Sequence, residues 1–71
     1  MANIKLIHSE WNETTGGYQR DWLADDASQI TAGFGASDNP GSTIYCIADQ
    51  SVYIKNTQGK WQKAGTTEVV E

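Results

Sequence analysis

The 71-residue sequence is poor in several residue types, with one cysteine, one proline, one histidine and five basic residues against nine acidic ones. A single cysteine excludes an internal disulfide, and a single histidine leaves too few donors for a zinc site. The formal charge of −4 argues against nucleic acid as a partner, because such partners select a basic face. The acidity is nonetheless mild, and 10% of the residues are aromatic, which argues against a DNA mimic or a disordered tail. No apolar run is long enough to span a membrane. The opening Met-Ala-Asn matches neither a secretory signal nor a lipidation site. The expectation is a soluble protein made in a reducing cytoplasm, with neither nucleic acid nor membrane among its partners. No internal repeat and no low-complexity segment interrupts the chain.

What the sequence does contain is concentrated between Gly41 and Gly65. Three short runs rich in β-branched and aromatic residues, Thr43–Ala48, Ser51–Asn56 and Lys60–Ala64, alternate there with turn formers. They read as a three-stranded meander over 42–64. Asn39-Pro40-Gly41 leads into it as a type II turn, with Pro40 presetting φ and Gly41 supplying the positive φ that follows. Asn56-Thr57-Gln58-Gly59 reads as a type I turn closed by a left-handed glycine. Around Asp49-Gln50 the connection is less defined. A two-residue loop there puts Tyr45, Ile47, Val52 and Ile54 on one face and Ile44, Cys46 and Tyr53 on the other. A three-residue loop groups Ile44, Cys46, Val52 and Ile54 instead. In either register both faces carry large apolar groups, and a chain this short can cover one of them more easily than two.

The flanks extend this sheet. Asn3–His8 alternates enough to read as a strand, and Glu10–Gly17 reads as a polar loop with Trp11 near its start. Tyr18–Asp25 fits two patterns. The spacing of Trp22, Asp26 and Ile30, with Asp21 as an N-cap, suggests a helix. The preceding Gly-Gly pair and the Tyr18/Trp22 spacing favour a strand to about Ala24, followed by one helical turn at Asp26–Ile30. Thr31–Asn39 is a glycine-rich loop, and Thr66–Glu71 is a tail that frays or adds an edge strand. The expected fold is all-β, a small antiparallel sheet or partly open barrel of four to six short strands in one domain, 1–71, with at most one helical turn.

No constellation of residues specifies a reaction. His8 and Cys46 form a conceivable base–nucleophile pair, yet a cysteine in an apolar strand is ordinarily a small buried hydrophobe. Asp21, Asp25, Asp26 and Asp38 lack the spacing of a calcium loop. Gly33-Phe34-Gly35 lacks the third glycine and the following helix of a phosphate cradle. We therefore expect no catalytic, metal or cofactor site, and no enzyme. The aromatic set carries more information, since tryptophan and tyrosine dominate both sugar stacking and protein contacts. Trp11, Tyr18, Phe34 and Tyr53 are the candidate interface residues. Pro40, Gly41 and Gly59 are turn residues, and Trp61, the one large apolar group of its run, belongs in the core.

Three segments carry a resemblance. D-x-x-A-D-D-A-x-x-I at Asp21–Ile30, P-G-S-T-x-Y-x-I at Pro40–Ile47 and V-Y-I-x-N-x-x-G-x-W at Val52–Trp61 together resemble small β-rich virion-associated proteins of tailed bacteriophages and prophages. The resemblance implies a virion structural component, a capsid-decorating or fibre-associated protein that docks on other virion proteins as a homo-oligomer or as docked copies. It also implies a location in the virion, after synthesis in the host bacterial cytoplasm. The alternative is a carbohydrate- or host-surface-binding module that uses exposed Trp and Tyr, with a glycan as its partner.

Overall fold

The computed structural model describes residues 4–70. Five strands, β1 (Lys5–Asn12), β2 (Gly17–Ala24), β3 (Thr43–Cys46), β4 (Ser51–Lys55) and β5 (Trp61–Lys63), form one sheet in the order β1-β2-β3-β4-β5. The fold is all-β, as expected, and the sheet is open. The antiparallel expectation needs one correction, because β2 and β3 run parallel. The long segment between them, carrying one 3-10 turn at Ala27–Gln29, makes the crossover that parallel pairing requires. Asp26 caps that turn by accepting from Ser28 N at 2.9 Å, and Gln29 Oε1 accepts back from Asp26 N at 3.2 Å. The strand reading of Tyr18–Ala24 holds, and the cap is Asp26 rather than Asp21.

Strand β1 is longer than its alternation suggested. It continues through Trp11 and Asn12, leaving only residues 13–16 as the hairpin loop. Pairing explains the extension, since Trp11 lies directly opposite Tyr18 and their rings meet edge to face at 5.0 Å. Ile7, which broke the alternation, is a bulge: Leu6 opposes Trp22 and His8 opposes Asp21, with Ile7 left over between them. The expected start of this strand at Asn3 lies outside the described residues.

The meander is present with slightly shorter strands. Ile44 opposes Tyr53 and Tyr45 opposes Val52, so the connection spans Ile47–Gln50 rather than two or three residues. Because that register differs by two from the two-residue loop, the faces are those of that reading. Tyr45, Val52 and Ile54 share one face, and Ile44, Cys46 and Tyr53 share the other. The turn at Asn39–Ser42 closes with Ser42 N donating to Asn39 O at 3.1 Å, and Gly41 has φ +96°. Beyond β5, Gln62 pairs with Val69 and Val70 N donates to Trp61 O at 2.9 Å, so the described part of the tail adds a bridge to that edge.

The core lies on one side of the sheet only. Ala24, Ile44, Cys46 and Trp61 are fully buried there, and Ile30 from the crossover nearly so. Phe34 covers them from above, with its ring 4.8 Å from Trp22 and 6.3 Å from Trp61. The loop that carries Phe34 is fixed by buried polar groups. Trp61 Nε1 donates to Phe34 O at 2.8 Å, and Lys55 Nζ, buried over the Trp61 ring at 4.5 Å, donates to Gly35 O at 2.9 Å. Asp38 accepts from Arg20 Nη1 and from Trp22 Nε1, both at 2.7 Å. Gly35 passes so close that a Cβ would sit 2.6 Å from Asp38 Oδ2 and 3.1 Å from the Trp61 ring. Among the described residues, no buried side-chain polar atom lacks a partner.

Among the large apolar residues, Leu6, Ile47 and Ile54 remain exposed, while the smaller Ala24 and Cys46 take interior places. Trp61 holds both the core and the loop, so Trp61→Ala should cost about 3–5 kcal/mol and unfold so thin a core, as read by thermal or urea melting. Gly59 has φ +78°, and a Cβ added there would meet nothing within 4 Å, so only backbone conformation selects glycine. Gly59→Val should therefore cost about 1 kcal/mol or more, and Gly59→Asn distinctly less, in the same melts.

Candidate interaction surface

The face of the sheet opposite the core carries an apolar row. Period-two alternation sends Leu23, Tyr45 and Val52 to this side, and the pairing lines them up, with Leu23 opposite Tyr45 and Tyr45 opposite Val52. Ile54 is the next outward residue of β4, beside Thr43, and Ile47 follows β3. Tyr45 is 38% exposed, Ile54 39% and Ile47 48%, while Leu23 and Val52 are half-buried by their neighbours. Contiguous apolar groups across three strands are more than the scattered exposure of an ordinary surface.

Polar residues frame the row. Lys5 lies opposite Leu23 at one end. Along one side Thr43 Oγ1 donates to Asp21 Oδ1 at 2.7 Å. Beside Ile54 a shallow cleft of about 240 Å³ is lined by Asn56, Gln62, Lys63, Ala64 and Gly65. Its amides are mutually ordered, with Asn56 Nδ2 donating to Gln62 Oε1 at 3.2 Å and Gln62 Nε2 to Thr66 O at 2.7 Å. An apolar stripe with a fixed polar rim and a cleft at one end suits an anchoring side chain from another protein.

The four residues singled out as interface candidates separate in the structure. Trp11 and Tyr18 are exposed, 52% and 41%, as a pair on the β1–β2 hairpin. Their rings meet at 72°, and the Arg20 guanidinium lies 4.7 Å over Tyr18. Phe34 and Tyr53 pack against the core instead, Phe34 from the crossover itself and Tyr53 from the side of β4 that the crossover covers. Of the turn and core residues, Pro40, Gly41 and Gly59 occupy turns and Trp61 is fully buried. Tyr45 and Leu23 were not among the candidates. The shared face of Tyr45, Val52 and Ile54 was readable from alternation, whereas Leu23 joins them only through the parallel β2–β3 register.

The groups considered for chemistry do not converge. His8 is on the outward side of β1, exposed and 3.9 Å from Glu10, whereas Cys46 is buried on the core side of β3 with β2 between them. Burial also raises the Cys46 thiol pKa, which disfavours the thiolate. The aspartates serve separate neighbours: Asp21 binds Thr43, Asp26 caps the 3-10 turn and Asp38 holds Arg20 and Trp22. Among the described residues, no three His, Cys, Asp or Glu side chains gather as a metal site. The Phe34 and Gly35 carbonyls point at Lys55, so this glycine loop presents acceptors to a cation and not amides to a phosphate. Burial lowers the Lys55 pKa, partly offset by Asp38, and hydrogen bonds from Ser51 lower that of Asp49. Among the described residues no helix is long and apolar enough to cross a membrane.

No family model matches the chain, and no curated protein or solved structure shows detectable similarity to it. The surface must therefore be judged by its own behaviour. If the outward row contributes little to folding, Tyr45→Thr should shift stability by no more than about 1 kcal/mol. Ile44→Ala, one residue earlier on the core side, should cost about 2–5 kcal/mol. Equal losses from the two substitutions would show that the outward row is structural.

Proposed function

We propose that this chain is a docking protein, a structural component of a tailed-bacteriophage virion that attaches to other virion proteins as a capsid-decorating or fibre-associated subunit. The observation that carries the reading is the apolar row Leu23–Tyr45–Val52, with Ile54 and Ile47, on the face that the chain leaves open. A sheet of this size gains stability when a partner covers such a row, and the aromatic Tyr45 at its centre is the residue type that anchors protein contacts. The resemblance of Asp21–Ile30, Pro40–Ile47 and Val52–Trp61 to small virion-associated proteins supports the choice of partner.

The carbohydrate reading has less to stand on. Stacking on a sugar needs an accessible aromatic face, and the exposed pair Trp11 and Tyr18 is arranged edge to face with Arg20 over the Tyr18 ring.

The test is incorporation. Particles are purified from cells in which the encoding phage or prophage assembles, and bound chain is quantified for the wild type and for Tyr45→Asp and Ile54→Asp. The wild-type chain should co-purify at fixed stoichiometry, and each variant, folded by circular dichroism, should fall by about tenfold or more, as loss of an interface anchor does. A wild-type chain absent from particles, or folded variants incorporated at wild-type levels, would overturn the proposal.

A further inference from the structure

The two edges of the sheet are treated differently. At the β5 edge the chain closes its own ladder, with Lys63 N donating to Glu68 O at 2.8 Å, Val70 N to Trp61 O at 2.9 Å, and Gln62 pairing with Val69. The β1 edge has no such cover. Among the described residues nothing pairs with it on the side away from β2. It is also the longer edge, eight residues with seven exposed, and it holds three exposed large apolar groups, Leu6 at 48%, Ile7 at 59% and Trp11 at 52%. An open edge of this length with apolar side chains is a template for a further strand.

We infer that the β1 edge pairs with the β1 edge of a second copy, antiparallel and about a two-fold axis between Ile7 and His8. The bulge narrows the choice of register, and charge decides within it. Before it, Leu6 faces the core side and Lys5 faces outward. After it, Ser9 and Trp11 face the core side while His8 and Glu10 face outward, as their β2 partners show. Two copies keep their faces aligned across the bulge only where a residue before it meets a residue of matching side after it. With the axis between Ile7 and His8, Lys5 of each copy meets Glu10 of the other, Leu6 meets Ser9, and Ile4 meets Trp11. Two residues on each strand separate the inner pairs, so the bulges face each other and the count balances.

Charge fits the same register. Among the described residues Lys5 has no carboxylate in ion-pair contact, and the cation in ion-pair contact with Glu10 is His8 at 3.9 Å, charged only when protonated. Pairing gives each Glu10 a lysine, twice per dimer by symmetry. Shifting the axis by one residue toward the N-terminus opposes Lys5 to His8, and shifting it the other way opposes outward His8 to inward Ser9. The assembly is closed, because the two-fold uses both open edges and the β5 edges are covered. The axis is perpendicular to the sheet, so the outward rows of both copies look the same way. Self-pairing does not depend on what those rows bind.

Analytical ultracentrifugation of the full chain tests this at low ionic strength, over concentrations up to about 1 mM. The wild type should show a reversible monomer–dimer equilibrium. Lys5→Glu alone and Glu10→Lys alone each bring like charges together twice and should weaken the dimer about tenfold or more. The double variant restores opposite charges and should return the dissociation constant toward that of the wild type. A wild-type monomer throughout the range, a dimer indifferent to both single changes, or a double variant no tighter than the singles would each overturn the register or the interface. Particle incorporation is read separately, so failure here leaves a distinct signature from failure of docking.

Discussion

The loop between β2 and β3 is held on the sheet by three buried polar anchors, and the rest of the structure depends on them. Trp61 donates its indole N–H to Phe34 O, Lys55 places its ammonium against the Phe34 and Gly35 carbonyls, and Asp38 receives Arg20 and Trp22. A glycine-rich loop has little apolar area with which to adhere. Once its backbone acceptors are turned inward they must be satisfied there, and leaving one unmade costs about 1–3 kcal/mol. The anchors therefore work as a set: they fix Phe34 over the core, and Phe34 completes a cluster that the sheet alone cannot enclose.

Covering one face in this way determines what happens to the other. The crossover that supplies the cover also makes β2 and β3 parallel neighbours, and that pairing brings Leu23 alongside Tyr45. Among the described residues no second segment of comparable length lies across the outward side, and residues 68–70 pair with the β5 edge. The open apolar row is thus a consequence of how the core is closed.

Alternation and turn chemistry revealed the meander, the Pro40-Gly41 and Asn56–Gly59 turns, the burial of Trp61 and the grouping of Tyr45, Val52 and Ile54, because each is a property of a few adjacent residues. The parallel step was not legible. Thr31–Asn39 offers no apolar periodicity, and what places it is a set of contacts such as Asp38 with Trp22, sixteen residues apart. The bulge hid the extent of β1 for a related reason, since one extra residue inverts the pattern and makes Trp11 look like part of a polar loop. Phe34 looked exposed for want of apolar neighbours in sequence. Its neighbours, Trp22 and Trp61, come from β2 and β5.

Side-chain footprinting with hydroxyl radicals, comparing the free chain with the chain on assembled particles, measures the central claim most directly. The account predicts that Tyr45 and Ile54 are oxidised in the free chain and protected on the particle, while Trp61 is protected in both. Unchanged labelling of Tyr45 and Ile54 on particles that carry the chain would contradict it, because the open face would then have no part in attachment.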